Sequence, residues 1–209
     1  GNFGDVYAGY LSKKMGLPIG RLIVATNQND ILHRAISSGK YIANQVEQTI
    51  SPSMDIQVAS NFERLIYDVL DQNSNKTKDA MNKFKKEKKY IIDDESIARI
   101  NNDFLSESLN QKETLEVIKT NYEKHGVILD PHTAVGLGVV NKLGFDKDCV
   151  ILSTAHPCKF PEAINQAIQK NENLPEELNY ILDEKENFDI IENNLETIKN
   201  YINQKLNAN

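Results

Sequence analysis

The first five residues, Gly1-Asn2-Phe3-Gly4-Asp5, are a short polar segment bracketed by two glycines. Apolar and small residues follow at helical spacing, at Val6, Ala8, Tyr10, Leu11 and Met15. Glycine permits backbone angles that point successive N–H groups into one hollow, and the first N–H groups of a helix have no partner within it. The segment therefore predicts a phosphate site, and on these residues alone an ordinary turn before a surface helix is the alternative.

Four further side chains outside this turn could take part in chemistry, and each has a structural alternative. His132 and His156 each lie beside a proline. Imidazole titrates near neutral pH and could act as a general base, but a histidine at the end of an element more often bonds backbone groups, so the structural role is preferred. Asn61 and Arg64 lie one helical turn apart, which suits either an anion site built on the forked arginine donor or simple helix capping by Ser60 beside a surface arginine.

Composition excludes several classes of function. The 209 residues carry a net charge of −6, which gives no reason to expect a nucleic-acid partner, and 40% are hydrophobic, enough for a core. No apolar run approaches the ~20 residues that a membrane helix needs, and no signal peptide is visible. Cys149 and Cys158 form neither a metal-ligand spacing nor a disulfide framework, so no metal site is expected. A cytoplasmic protein is favoured, with Cys149 as a buried thiol at the start of a strand.

Two short apolar runs predict buried strands of a parallel sheet. The first covers residues 21–26 and the second covers residues 150–154, and polar residues follow each run. In open α/β sheets, ligands bind at the carboxyl edge of the strands. Asn29 and Asp30, which follow the first run, could bind a ligand there or cap the next helix.

Helices are predicted for most of the remaining chain. Asp130-Pro131 is a strong helix start, and the apolar helix that follows should be buried and end at Gly144. Residues 61–125 are expected to form a mainly helical excursion from the α/β core, with Ser60 capping the first helix. Residues 174–206 have the pattern of a C-terminal tail of short helices, and no internal repeat is visible.

The order of these motifs resembles that of the threonine synthase family. The resemblance begins with the opening Gly-Asn-Phe-Gly-Asp segment and continues through five separated blocks in one order. These blocks are residues 24–30 (Val-Ala-Thr-Asn-Gln-Asn-Asp), 51–56 (Ser-Pro-Ser-Met-Asp-Ile), 60–64 (Ser-Asn-Phe-Glu-Arg), 130–136 (Asp-Pro-His-Thr-Ala-Val-Gly) and 153–157 (Ser-Thr-Ala-His-Pro). The resemblance covers nearly the whole chain and concerns the C-terminal part of those enzymes.

The resemblance implies a fold, a cofactor and a site. The fold is the α/β, parallel-sheet, three-layer type of the tryptophan synthase β chain, incomplete across residues 1–209 and with a helical insertion. The cofactor is pyridoxal 5'-phosphate (PLP). Its phosphate would bind to Gly1, Asn2, Phe3, Gly4 and Asp5, and Thr154 would face its pyridine nitrogen. Asn61 and Arg64 would reach the phosphate of a small amino-acid phosphate ester substrate.

The resemblance also implies a reaction and a missing part. The complete enzyme would convert O-phospho-L-homoserine and water to L-threonine and phosphate. The Schiff-base lysine of the family lies upstream of the Gly-Asn-Phe-Gly motif, and none of the twenty lysines here has a matching context. We therefore expect a fragment, split-gene product or truncated chain that is inactive alone and needs the N-terminal half of the enzyme.

Three alternatives remain beside this interpretation. One is a non-catalytic remnant or interaction module that retains the fold, which the missing lysine favours. Another is a different PLP-dependent replacement or elimination enzyme of the same fold. The third, a nucleotide-binding module built on the glycine turn, is weak, because the chain has neither the Lys-Ser/Thr ending of a P-loop nor the acidic residue of a dinucleotide fold.

Overall fold

The computed structural model describes residues 2–145 and 149–207. The chain divides into two compact units, Gly1–Glu172 and Asn173–Asn209. The helices described in the first unit are α1 (Gly4–Lys14), α2 (Ile31–Ser38), α3 (Glu63–Val69), α4 (Ser74–Glu87), α5 (Asp94–Asp103), α6 (Gln111–His125), α7 (Pro131–Lys142) and α8 (Pro161–Ile168). Its described strands are β1 (Leu22–Thr26), β2 (Lys40–Ile42), β3 (Lys89–Ile91) and β4 (Phe104–Ser108).

A pair of parallel strands lies at the centre of the first unit. Strand β1 pairs with β4, with Leu22 opposite Phe104 and Thr26 opposite Ser108. Branched and apolar side chains fill β1, as the pleated surface favours, and helices α1, α2 and α7 pack against it. Strands β2 and β3 form a separate antiparallel pair. The α/β class and the parallel strand predicted from residues 21–26 are confirmed.

Aromatic side chains from three segments form the core beside α1. Phe3, Tyr7 and Tyr10 lie on one face of this helix and are buried, and the ring of Phe3 is 5.1 Å from that of Phe62 and 5.6 Å from that of Phe104. The spacing of four and then three residues places these three rings on one helical face. The other residues of the helical pattern, Ala8, Leu11 and Met15, lie on the opposite side, and Met15 is 88% exposed.

The helix predicted to start at Asp130-Pro131 is confirmed as α7, and Gly144 follows its end with a φ of 75°. The predicted cap of α3 was wrong. Ser60 begins a 3-10 turn, Ser60–Phe62, and Phe62 occupies the N-cap position without a side-chain hydrogen bond. The fully buried ring of Phe62 fixes the chain direction there, so tertiary packing replaces the expected cap.

The range 61–125 contains mostly helix, and it also contains β3 and β4. Neither strand was predicted from the sequence. Because β4 pairs with β1, this range supplies one of the two strands at the centre of the unit. The helical insertion proposed for this range is therefore interrupted at Phe104, where the chain returns to the sheet.

The second predicted strand, residues 150–154, is wrong. This segment has an irregular backbone, with Val150 90% and Leu152 58% exposed. A strand persists only when its N–H and C=O groups bond to a neighbouring strand. In the part of the chain that the structure describes, the ladders are β1–β4 and β2–β3, and neither includes this segment. Cys149 is exposed for the same reason, contrary to the predicted buried thiol.

The second unit contains a 3-10 helix, Glu176–Leu182, and helix α9 (Leu195–Asn207). The helical tail predicted for residues 174–206 is thereby confirmed. The side chain of Asn194 accepts hydrogen bonds from the N–H groups of Glu196 and Thr197, which starts α9. Across the described residues, no helix combines the length and the apolar character needed to span a membrane.

Candidate functional site

The N-terminus of α1 is the first part of the candidate site. Phe3 occupies the N-cap position without a side-chain cap, and the N–H of Gly4 donates to Oδ1 of Asn2 at 3.1 Å. The N–H groups of Asp5 and Val6, in the same first turn, have no acceptor within the helix. The partial positive charge of the helix end adds to these donors, so the turn can bind an anion. Gly1 lies outside the described residues.

The special backbone angles of this turn lie at Phe3 and not at a glycine. Phe3 has a φ of 72°, in the left-handed region, while Gly4 is already helical. The effect of a side chain at position 4 is therefore steric. A Cβ atom there would lie 3.1 Å from Oδ1 of Asn2, which is a tight contact, and 3.7 Å from Nδ2 of Asn61.

Asn61 and Arg64 lie beside this turn. The guanidinium of Arg64 stacks 4.5 Å from the ring centre of Tyr7 and donates to Oδ1 of Asn61 at 2.9 Å. Arg64 is exposed, and among the described residues it forms no ion pair. A cation and an amide are thus held next to the positive end of α1. Of the residues predicted from the sequence, the structure brings together Asn2, Gly4, Asn61 and Arg64.

Tyr7 fixes the position of the stacked Arg64. Its hydroxyl donates to Oδ2 of Asp68 at 2.8 Å. Burial, followed by the hydrogen bond and charge of Asp68, raises the pKa of Tyr7 to about 12. The phenol is therefore neutral at ordinary pH, and its ring offers Arg64 an aromatic face.

Asp5 is also in the first turn of α1, and its exposed carboxylate stabilises the positive helix end. A bound phosphate would be repelled by this carboxylate. Its predicted place in the site can therefore rest only on its backbone N–H.

Thr154 belongs to a second group of residues, at the N-terminus of α7. Its N–H donates to Oγ1 of Thr133 at 3.4 Å, and its side chain is exposed. Within the described residues, no hydrogen bond or ion pair joins Thr154 to the turn before α1. His132 and His156 both bond backbone groups, since Nε2 of His132 accepts from Ser53 N–H and Nδ1 of His156 accepts from Cys158 N–H.

A buried polar network at the carboxyl end of β1 was only partly foreseen. The side chains of Asn27 and Asn29 are buried, and both donate to Oδ1 of Asp55, at 2.7 and 3.0 Å. The same carboxylate accepts from the N–H and the hydroxyl of Thr49. Asn29 thus has a structural role, and Asp30 occupies the N-cap of α2 while its carboxylate pairs with Arg34. The signal for this network was the Asn-x-Asn sequence directly after a strand.

No group of His, Cys, Asp and Glu side chains within the described residues could hold a metal ion. The arrangement instead offers backbone N–H groups, an amide and an arginine. Such donors suit phosphate, which accepts several hydrogen bonds and carries negative charge.

Comparison with known proteins shows what the chain is similar to. A family model described as "Threonine synthase, C-terminal" matches residues 133–202. Threonine synthase of Pseudomonas aeruginosa is 39% identical over 207 residues, which cover 98% of this chain and 44% of that protein. Threonine synthase of Saccharomyces cerevisiae is 42% identical, with 99% and 45% covered.

A solved structure agrees with these relatives. The crystal structure of PLP-bound threonine synthase from Brucella melitensis matches with a TM-score of 0.89 and 38% identity, and the match covers 98% of this chain and 44% of that one. The chain thus spans less than half the length of the relatives that it matches. It is similar to the C-terminal portion of threonine synthases.

Proposed function

We propose that this chain provides the cofactor-phosphate site of a PLP-dependent threonine synthase, which converts O-phospho-L-homoserine and water to L-threonine and phosphate. The observation that carries the proposal is the open first turn of α1, with Asn61 and Arg64 beside Gly4. An anion site of this kind is what a phosphate-bearing cofactor and a phosphate-bearing substrate both require. The similarity over 98% of the chain supports the choice of reaction.

The residues of the first turn fit the phosphate of PLP. Gly4 lacks the Cβ atom that would crowd Asn2, so a phosphate oxygen can approach the backbone. The N–H groups of Asp5 and Val6 would donate to that phosphate, assisted by the helix end. When bound, PLP supplies the electron sink for the reaction.

Thr154 would face the pyridine nitrogen of the cofactor. Its exposed hydroxyl is available to a ligand, while its backbone N–H is bonded to Thr133. A neutral hydroxyl does not stabilise a protonated ring nitrogen as a carboxylate would, so the nitrogen would stay largely unprotonated. This role therefore sets the strength of the electron sink.

Asn61 and Arg64 would hold the phosphate of the substrate. The planar guanidinium can form two parallel hydrogen bonds to phosphate, and Asn61 keeps it in place through Oδ1. Because the substrate loses this phosphate, a cation here would also stabilise the charge that develops on the leaving group.

The amine for the cofactor would come from the part of the enzyme outside this chain. Lys13 is paired with Asp103 at 2.8 Å and donates to the carbonyl of Gly20. Lys14 lies 5.3 Å from the ring centre of Tyr10. Both lysines nearest the first turn in sequence are thus engaged, which supports a Schiff-base lysine elsewhere and an inactive isolated chain.

A joined enzyme tests this proposal. The N-terminal region of the P. aeruginosa enzyme, up to the point where the similarity begins, would be expressed as one polypeptide with this chain. We expect the joined enzyme to release phosphate from O-phospho-L-homoserine and to form threonine. After borohydride reduction, we expect the pyridoxyl label on a lysine of the N-terminal region.

Two results would contradict the proposal. A folded joined enzyme that binds PLP without forming threonine would favour the non-catalytic remnant. A stoichiometric pyridoxyl-lysine at one position within this chain would show that the amine lies here after all.

Replacing Arg64 with alanine in the joined enzyme should raise the KM for O-phospho-L-homoserine about tenfold, because a charge-assisted hydrogen bond to phosphate is lost. The kcat should also fall, because the charge that develops on the leaving phosphate loses its cation, whereas the affinity for PLP should be unchanged. Arg21, exposed at the amino end of β1, is the matched control, and Arg21→Ala should leave KM unaltered. If Arg64→Ala instead weakens PLP binding alone, Arg64 belongs to the cofactor site.

A further inference from the structure

A chain of hydrogen bonds at the N-terminus of α7 links two segments that are distant in sequence. Ser53 N–H donates to Nε2 of His132 at 3.3 Å, and Nδ1 of His132 bonds Oδ1 of Asp130 at 2.9 Å. The hydroxyl of Thr133 donates to the other oxygen of Asp130. Thr154 N–H donates to that hydroxyl at 3.4 Å. The turn at Ser53 is thereby connected to the segment at Thr154 through Asp130, the N-cap of α7, and through His132 and Thr133 in its first turn.

The direction of every bond in this chain follows from the groups at its ends. A backbone N–H can only donate and a carboxylate can only accept. Nε2 of His132 must therefore be the unprotonated nitrogen, and Nδ1–H must donate to Asp130. The Thr133 hydroxyl donates its single proton to Asp130, and its oxygen accepts the hydrogen bond from Thr154 N–H. Each group fits its neighbours in one way, so the hydrogen bonds have a single pattern of donors and acceptors.

Both ends of this series of hydrogen bonds, at Ser53 and at Thr154, lie in segments that bear on the candidate site. Ser53 is two residues from Asp55, whose carboxylate binds Asn27 and Asn29 at the carboxyl end of β1. Asp130 has a fully buried side chain, and His132 and Thr133 are each only 6% exposed. Thr154 is exposed in this chain and lies in an irregular segment, and the bond from its N–H to Thr133 ties it to α7.

We infer that Thr133 is a positioning residue, which holds Thr154 through its backbone N–H, and that Asp130 and His132 tie this position to the turn at Ser53. The inference deepens the proposed function, on which the role of Thr154 rests. A ring-nitrogen partner must be held to within a fraction of an ångström, and an exposed segment cannot do this alone.

Thr133→Val and Thr133→Ser provide the test in the joined enzyme. Valine keeps the shape but removes the hydroxyl, so kcat should fall about tenfold while KM changes less than about twofold. The absorption band of bound PLP should shift, because the group at its ring nitrogen has moved. Serine keeps the hydroxyl, so Thr133→Ser should restore both kcat and the position of the absorption band. Thr114, a buried threonine whose hydroxyl donates to the Asn110 carbonyl, is the matched control, and Thr114→Val should alter neither.

Amide hydrogen exchange separates this inference from the proposed function. In Thr133→Val, exchange at Thr154 should become about tenfold faster, and Thr133→Ser should return it to the parent rate. This readout needs no turnover, so it holds even if the joined enzyme proves inactive. Unchanged exchange at Thr154 in a folded Thr133→Val protein would overturn the inference, as would a loss of kcat that serine fails to restore.

Discussion

Replacing Gly4 with valine is expected to lower threonine formation by the joined enzyme at least about 100-fold, because misplacing a bound group by about 1 Å has effects of this size. The added Cβ would lie 3.1 Å from Oδ1 of Asn2, and its methyl groups would fill the space above the first turn of α1. The phosphate of PLP could not approach the N–H groups there. The affinity for PLP, measured by spectroscopic titration, should fall together with the rate.

The matched control for this change is Gly20→Val. Gly20 is exposed, has no unusual backbone angle, and has open space where a Cβ would stand. This variant should keep both PLP affinity and rate. A Gly4→Val enzyme that binds PLP as tightly as the parent would mean that this turn does not hold the cofactor.

Asp130→Ala is expected to be the most destabilising single change at the candidate site. Loss of an N-cap side chain costs about 1 kcal/mol. Each buried donor left without an acceptor adds about 1–3 kcal/mol, and Asp130 accepts from the backbone and side chain of both His132 and Thr133. The free energy of unfolding should therefore fall by about 3 kcal/mol or more in denaturant titrations.

The exposed N-cap Asp93 of α5 is the control. Its carboxylate accepts from Ser96, and Asp93→Ala should cost only about 1 kcal/mol. Equal losses in the two variants would mean that burial of Asp130 adds nothing to the cap.

The dependence of stability on pH gives an independent check on Asp130. Burial raises its pKa, but the hydrogen bonds from His132 and Thr133 outweigh burial and hold the pKa below its ordinary value of 3.8. A carboxyl with a lowered native pKa stabilises the fold above its unfolded pKa, and this stability is lost as the pH falls through the native pKa. The parent should lose more stability than Asp130→Ala on acidification below about pH 4.

The elements that the sequence predicted are those with complete local signals. Helix α7 has an aspartate cap, a proline in its first turn and a glycine after its end, all within one stretch. Strand β1 is a short apolar run with branched side chains. In both cases the local preference agrees with the tertiary contacts, and the prediction succeeded.

The elements that the sequence missed depend on partners far away in the chain. Strand β4, Phe-Leu-Ser-Glu-Ser, is only weakly apolar and follows α5 without a turn, so pairing with β1 decides its conformation. Residues 150–154 show the reverse case. Their pattern is typical of a strand, yet no ladder within the described part of the chain receives them. The local sequence pattern indicates which conformation a segment prefers, whereas a strand in a sheet also requires a neighbouring strand to pair with.

The candidate site, too, was predictable only where the types of its residues carry the signal. The types of Asn2, Gly4, Asn61 and Arg64 indicated an anion site, and the structure brings these four residues together. The link from Thr133 to Thr154 could not be predicted, because it runs through a backbone N–H and depends on no residue type at position 154.

In the proposed cofactor site, the left-handed backbone at Phe3 would delay PLP binding until the surrounding aromatic core has formed. Such a conformation costs a non-glycine residue about 1–3 kcal/mol, and packing of its ring in the core, against Phe62 and Phe104 among others, offsets that cost. In a newly synthesised chain whose aromatic core has not yet formed, nothing would offset the cost of the left-handed conformation, so the turn at Phe3 would not form. PLP would then select mature molecules from a nascent population and, by mass action, protect them from reopening.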